Sequence, residues 1–237
     1  EMNRHLDRSS RLMTTTRNTA AAVAHDLKSP LGRAYLALGR AQDQLTVGAD
    51  PSDALFDAQD ELEQMRGVFD AYLQLSLIEA GTDNARFERV GMSALVRDLA
   101  ETYSLVAEDA GQSLVTHVDD ADDYEISGNP QMLHRLVVNL LQNAVNYGPN
   151  GNRICMELTR RSGDVALVVT DHGPGIPETA RDAVFQPFYR LDPSRTKPGS
   201  GLGLALVRAI VERHSGTIAL HDNDPGLRVE MRFPSLR

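Results

Sequence analysis

A chain of 237 residues, 41% hydrophobic and 24% charged, has the composition of a soluble globular protein with one large or two modest domains. Its net charge of −9 disfavours a general nucleic-acid-binding role, and its single cysteine, Cys155, excludes an intrachain disulfide. No apolar run approaches the roughly 20 residues that span a bilayer, no signal peptide is visible, and one cysteine with scattered histidines does not favour a structural zinc site.

In chain order, Ala20, Val23, Leu27, Leu31, Ala34, Leu38, Ala41 and Leu45 recur by threes and fours, the rhythm of a helix-bundle seam. Gly48, Asp50 and Pro51 break it, and Leu55, Ala58, Leu62, Met65, Phe69, Tyr72 and Leu75 carry a second helix to Ala80 and Gly81, where glycine suits a C-cap. Two helices joined by a short loop predict an antiparallel hairpin. A lone hairpin leaves much of its seam in water, so a homodimer closing a four-helix bundle is expected. Residues 82–90 are polar and read as an irregular linker. Beyond them a helix is predicted from Met92 to Ala110 and a strand from Leu114 to Val118. A further helix should run to Tyr147, with Asn129 as N-cap, Pro130 in its first position and Gly148 just past its end. Ile154, Met156 and Leu158 alternate with polar neighbours, as in a strand with one buried face and Cys155 on the other. Val165 to Val169 is apolar throughout, as in a central strand. A helix from Leu202 to His214 and strands Thr217–Leu220 and Arg228–Phe233 complete a two-layer α/β sandwich. The fold class is multi-domain, α followed by α+β.

Four groups of residues carry chemistry. At about 100° per residue, His25 lies about 200° from the seam residue Val23 and should face solvent. An isolated exposed histidine on a helix is ordinarily decoration. Here Pro30 sits inside a helical pattern, at a cost of about 3 kcal/mol, and deprives the Asp26 carbonyl of its donor. The Asp26 carboxylate can hold one imidazole N–H and raise the nucleophilicity of the other nitrogen, and Ser29 lies on the same face. Such an imidazole is suited to accept a transferred group. In the second group, Asn139 and Asn143 project from one helix face beside Asn146 and Tyr147. Either asparagine alone reads as a solvated surface residue, but amide oxygens together suit Mg2+, which keeps most of its waters and binds phosphates. Third, Asp171 ends an apolar strand just before Gly173 and Gly175. This is ordinary turn chemistry, and such a turn also lets a flat group approach the backbone, with Ile176 following. Fourth, Gly199, Gly201 and Gly203 precede and open the helix that begins at Leu202 and Leu204, where backbone N–H groups can form an anion nest. Arg190, Arg195 and Lys197 lie in the loop between the glycine stretches; for any one of them a solvated charge is the ordinary reading.

The segment His25-Asp26-Leu27-Lys28-Ser29-Pro30-Leu31 resembles the H-box of bacterial sensor histidine kinases. Asn139-Leu140-Leu141-Gln142-Asn143-Ala144-Val145-Asn146-Tyr147 resembles the N-box of that family, and Asp171-His172-Gly173-Pro174-Gly175-Ile176 its first G-box. Phe185-Gln186-Pro187-Phe188-Tyr189-Arg190 resembles the F-box, and Gly199-Ser200-Gly201-Leu202-Gly203-Leu204-Ala205-Leu206 the second G-box. Each alone is weak, but the five occur in order. The resemblance implies the end of a HAMP-like signalling helix over 1–12, a dimerisation and phosphoacceptor hairpin over 13–81, a linker over 82–90 and an ATP-binding catalytic domain over 91–237. It also implies Asn143 as the Mg2+ ligand with Asn139 in support, Asp171 on the adenine amino group with Ile176 packed on the base, and a mobile lid from which Arg190 faces the phosphates. The expected activity is ATP-dependent phosphorylation of His25, then transfer to an aspartate of a response regulator receiver domain. The chain would be the cytoplasmic portion of a bacterial inner-membrane protein.

Three departures stand out. Asn146 replaces a common Lys or Arg, which Lys197 or Arg195 would offset. His172 replaces a common Asn. Ser29 replaces the commoner Thr linked to positioning water, and its hydroxyl suits a phosphatase role towards the regulator. His5, His117, His134, His214 and His221 read as structural or surface residues. An ATP-driven clamp of the same nucleotide-binding superfamily and a degenerate dimerising module are the alternatives; the His25-Asp26 pair argues against the first, and intact Asn143, Asp171 and glycines against the second.

Overall fold

The structure, a computed structural model, describes residues 28–81, 86–119, 124–191 and 199–236. It divides into two compact units, Glu1–Leu73 and Gln74–Arg237. Residues 28–46 form helix α1, and Ser52–Glu79 form α2. Asp50 starts α2: its carboxylate accepts from the Ser52 N–H at 3.0 Å and the Ser52 hydroxyl at 2.6 Å, satisfying donors that a helix start leaves unpaired. The buried residues of the hairpin match the expected seam only in part: Ala34, Ala41, Ala58 and Leu75 of it are buried. Ala34, Ala37 and Ala41 of α1 and Ala54 and Ala58 of α2 are buried, whereas Leu31, Leu38, Leu45, Leu55, Leu62 and Phe69 are exposed. Alanine allows close helix approach, so the small residues take the contact and the leucines are left on adjacent faces. Arg33 grips both carboxylate oxygens of Glu61 at 2.5 and 2.7 Å, and Arg40 pairs with Asp57 at 2.9 Å, tying α1 to α2.

The second unit runs β1 (Glu88–Gly91), α3 (Met92–Asp109), β2 (Ser113–Val118), β3 (Glu125–Gly128), α4 (Pro130–Tyr147), β4 (Arg153–Arg161), β5 (Asp164–Thr170), α5 (Gly203–Arg213), β6 (Thr217–Asp222) and β7 (Leu227–Pro234). Five strands form a sheet in the order β2-β4-β5-β7-β6. Only β2 and β4 run parallel; the other pairs are antiparallel. Val165 to Val169 are all buried, as expected of the central strand β5, and β4 buries Ile154, Met156 and Leu158 while Cys155 stays half-exposed. Against the sheet pack Leu133, Leu136, Val137, Leu140 and Leu141 of α4 and Leu206, Val207, Ile210 and Val211 of α5. Each large aliphatic side chain so buried contributes roughly 2 kcal/mol.

The stretch expected to be an irregular linker carries β1 from Glu88 onward, paired antiparallel with β3, so that Val90 faces Ile126. Neither four-residue strand was legible, because each is too short and polar to show an alternation and exists through its partner. α4 begins as predicted: Asn129 Oδ1 accepts from the Met132 N–H at 3.0 Å, and Pro130 follows. His214 supports this start from below. Its Nδ1 is 2.7 Å from the Ile210 carbonyl, and its Nε2 is 3.0 Å from the Asn129 N–H. Those partners assign the neutral Nδ1–H tautomer. The ring also stacks on Phe87 at 4.7 Å, and Phe87 takes the Arg213 guanidinium on its face at 4.6 Å. His214 is therefore structural, one of the two roles expected for it.

Candidate functional site

Three segments of the second unit converge: the C-terminal half of α4, the turn after β5, and the loop that opens α5. On α4, Asn139 and Asn143 are both half-buried. The Asn139 amide donates back to the Arg135 carbonyl at 2.8 Å, leaving its oxygen available, and the Asn143 amide bonds to no described residue. Gly203, the first residue of α5, meets them: a methyl there would stand 3.1 Å from Asn139 Oδ1 and 3.7 Å from Asn143 Oδ1. The unpaired first-turn N–H groups of α5 thus lie beside two amide oxygens. Leu202 is fully buried and Leu204 half-buried, so they anchor the helix start. Gly199 and Gly201 form the approach to it. Gly201 has φ +70°, and a β-carbon would stand 2.8 Å from the Tyr189 carbonyl oxygen. The Phe188 N–H donates to the Gly201 carbonyl at 3.0 Å, so the F-box and second G-box are joined through backbone.

Asp171 follows β5 and is buried. Its Oδ1 accepts from the Gly173 N–H at 2.7 Å, closing the turn, and the Leu227 backbone N–H also bears on the carboxylate. Burial pushes the carboxyl above the ordinary carboxylate range, and the hydrogen bond from Gly173 offsets this only in part. The turn is held on both sides. The Asp171 N–H donates to the Leu227 carbonyl at 2.9 Å, and its carbonyl accepts from the Asn223 amide at 2.9 Å. Gly226, with φ +123°, comes so near that a β-carbon would stand 1.9 Å from the Asp171 carbonyl oxygen. Gly173 and Ile176 are buried and Gly175 half-buried. The Ile176 carbonyl accepts from Arg181, which also pairs with Asp222 at 2.6 Å.

The remaining expected residues lie at the edge of this cluster, in the helical unit or outside the described residues. Asn146 is exposed, and Tyr147 is half-buried with its hydroxyl 3.7 Å from a β-carbon built on Gly199. Arg190 donates to the Gly199 carbonyl at 2.5 Å. Ser29 belongs to the helical unit, where its hydroxyl accepts from Arg33 at 2.9 Å. His25, Asp26, Arg195 and Lys197 lie outside the described residues.

Sequence reasoning missed Gln112 and Asn152, 8% and 2% exposed. Asn152 Oδ1 accepts from the His172 N–H at 2.9 Å, and its Nδ2 donates to Gln112 Oε1 at 2.9 Å and the Ala144 carbonyl at 3.3 Å. Gln112 Nε2 donates to the Val145 carbonyl at 2.8 Å. Both residues stand just ahead of strands, where an isolated amide reads as a turn residue, and no periodic signal marks its burial.

A family model described as histidine kinase-, DNA gyrase B- and HSP90-like ATPase matches residues 128–237. The sensor-like histidine kinase SenX3 of Mycolicibacterium smegmatis is 27% identical over 217 residues, covering 89% of this chain and 55% of that protein. The chain therefore spans about half the length of the curated relatives it matches. The solved structure of the mycobacterial sensor histidine kinase MprB is 30% identical with TM-score 0.54, covering 63% of this chain and 97% of that one. A structure of histidine kinase ThkA in complex with response regulator protein TrrA shares the fold, with TM-score 0.72, 20% identity, and coverage of 97% of this chain and 64% of that one. With the matched domain built around these convergent segments and the likeness spanning nearly all of the MprB chain, this chain belongs to the bacterial sensor histidine kinases.

Proposed function

We propose that the second unit binds ATP with Mg2+ and that the chain uses it to phosphorylate His25. The observation that carries this reading is the Asp171 carboxylate: buried at the end of β5, set in its turn by the Gly173 N–H through Oδ1, and followed by the buried Ile176. A carboxylate held in so dry a position gains from a ligand donor that shares its charge. Adenine supplies such a donor, and Ile176 supplies an apolar neighbour for its ring. The triphosphate belongs at the glycine-lined start of α5, where unpaired N–H groups and the helix dipole favour anions.

The residues present fit Mg2+ in one way. Among the described residues no three His, Cys, Asp or Glu side chains cluster as a metal site. The neutral amide oxygens of Asn143 and Asn139 beside Gly203 suit a hydrated ion held mainly by phosphate, with Asn143 as ligand. Bound there, the ion would neutralise phosphate charge. The imidazole nitrogen of His25 then attacks the γ-phosphorus in line; a nitrogen–phosphorus bond forms, the bond to the β–γ bridging oxygen breaks, and ADP leaves. Asp26 orients the ring by accepting from its other N–H and takes that proton as the nitrogen–phosphorus bond forms. The phosphoryl group passes to an aspartate carboxylate on the receiver domain of a response regulator, a partner supported by the ThkA complex of like fold. Ser29, whose hydroxyl Arg33 holds, is assigned to positioning water when the regulator is dephosphorylated.

We further assign the hairpin of residues 13–81 to a homodimeric four-helix bundle, residues 1–12 to the end of a HAMP-like helix, 82–90 to a linker whose last residues enter β1, and 91–237 to the catalytic domain. The full protein is placed at a bacterial inner membrane, with this part on the cytoplasmic side; no described helix is long and apolar enough to cross a membrane. Incubation with γ-labelled ATP and Mg2+ tests the central step. Acid-labile, base-stable label should appear on the protein and vanish in His25→Gln. Label persisting in that variant overturns the phosphoacceptor, and ATP hydrolysis without protein label overturns the kinase reading.

A further inference from the structure

We infer that Asn152, with Gln112 behind it, is a positioning residue for nucleotide recognition: a buried amide clamp that sets the Asp171 turn against α4. The inference rests on the nucleotide reading above.

The last carbonyls of a helix have no partner within it. Of α4, the Val145 carbonyl, opposite the N–H-less Pro149, is reached by Gln112 Nε2, and the Ala144 carbonyl, bonded to the Gly148 N–H at 2.9 Å, also accepts from Asn152 Nδ2; the two amides are joined to each other at 2.9 Å. Asn152 then uses its oxygen on the His172 N–H, the residue after Asp171. One side chain therefore spans two elements that carry different ends of the proposed site. α4 holds Asn139 and Asn143 beside the α5 start, and the turn holds Asp171. The clamp is also fixed at its own backbone: the Asn152 N–H donates to the Pro149 carbonyl at 3.0 Å, and its carbonyl accepts from the Ser113 N–H at 2.9 Å. Gly148 leaves room for it, since a β-carbon there would stand 2.1 Å from Asn152 Nδ2. Every strong hydrogen-bonding atom of the Asn152 amide is thus aimed at α4, Gln112 or the turn.

An isolated buried amide is expensive, and a satisfied network orients its members. The consequence for function is directional. Asp171 accepts from the 6-amino group of adenine, where guanine carries a carbonyl oxygen, so its placement governs discrimination between ATP and GTP as well as affinity. Loosening the clamp should weaken the ligand that Asp171 recognises and leave the one it does not recognise largely unchanged.

The test measures Mg2+·ATP and Mg2+·GTP binding by calorimetry on the full chain, with folding followed by circular dichroism. Asn152→Ala should weaken ATP about tenfold, the scale of one lost oriented hydrogen bond, with GTP nearly unchanged. In an Asp171→Asn background the same change should have little further effect on ATP, because the two act as a unit. Should Asn152→Ala fail to fold, Gln112→Ala is read in the same way and should narrow the preference for ATP in the same direction. A folded variant with reduced thermal stability but unaltered ATP affinity and ATP-to-GTP preference overturns the positioning role. So does full additivity with Asp171→Asn. If the unaltered chain itself does not prefer ATP, the nucleotide reading falls first and the clamp's role with it.

Discussion

Two buried carboxylates show how environment decides the behaviour of one residue type. Asp171 has its carboxyl pushed up by burial, whereas Glu230 on β7 is pulled down, first by its hydrogen bond to Arg232 and then by Arg228. Their contributions to stability therefore run in opposite directions with pH. The folded state holds the Asp171 proton more tightly than the unfolded chain does. Its contribution is fully present below the ordinary aspartate range and is lost as pH rises through the raised value. The Glu230 contribution is present above the ordinary glutamate range and is lost as pH falls through the depressed value. Adenine recognition needs Asp171 ionised, so ATP affinity should fall on acidification at a higher pH than an ordinary aspartate would give, as binding isotherms across pH would reveal. Asp171→Asn keeps an oxygen for the Gly173 N–H and removes a buried charge. It should leave the melting temperature at neutral pH unchanged or raised while weakening ATP by roughly 2 kcal/mol, about thirtyfold. A variant that bound ATP normally would remove the residue on which the proposed function depends.

The elements hold one another at their ends. α4 is capped by the side chain of Asn129, and the backbone N–H of that same residue is received by His214 at the end of α5. His214 also stacks on Phe87 and meets Phe233 edge-on at 6.3 Å. A cap truncation and a core truncation should therefore differ in size. Asn129→Ala should lower stability by about 1 kcal/mol, the usual cost of a lost N-cap. His214→Ala should cost about 3 kcal/mol, because it opens a cavity and leaves the Asn129 N–H without its partner. Urea unfolding of the two variants compares them directly, and equal losses would deny His214 its joint role. The α5 start depends on the same logic at its other end, where Gly201 must accept the Tyr189 carbonyl at close range.

At the scale of the whole molecule, the hairpin presents Leu31, Leu38, Leu45, Leu55, Leu62 and Phe69 to solvent while alanines occupy its interior. Exposed apolar rows of this kind fit the homodimer proposed above, since a bundle of four helices would bury them. Leu38→Glu places a charge in the middle of such a row and touches none of the buried alanines. Sedimentation velocity should then find a monomer whose helical content is kept and whose α/β unit still melts cooperatively. A Leu38→Glu protein that sediments as the unaltered chain does would move the interface elsewhere.

Much of this was legible without coordinates. α3, α4, α5 and the central strand were readable because periodicity, caps and breakers are local: Asn129-Pro130 opens α4, and Val165 to Val169 has no polar position to expose. The glycine stretches and the paired asparagines were readable because turns and helix faces follow from spacing. What local pattern cannot encode is which buried surface a short polar segment will meet. β1 and β3 exist only through each other, and the exchange of leucines for alanines at the hairpin interior depended on how closely two helices approach. His172 contributes a backbone N–H, a group that every residue but proline shares and that no pattern distinguishes. The amino-acid sequence by itself determined the family, the longer elements in their order and the motif segments that the fold brings together. Only the tertiary structure decided that Gln112, Asn152 and Asn223 hold them, because hydrogen-bond partners far apart in the chain are chosen by packing.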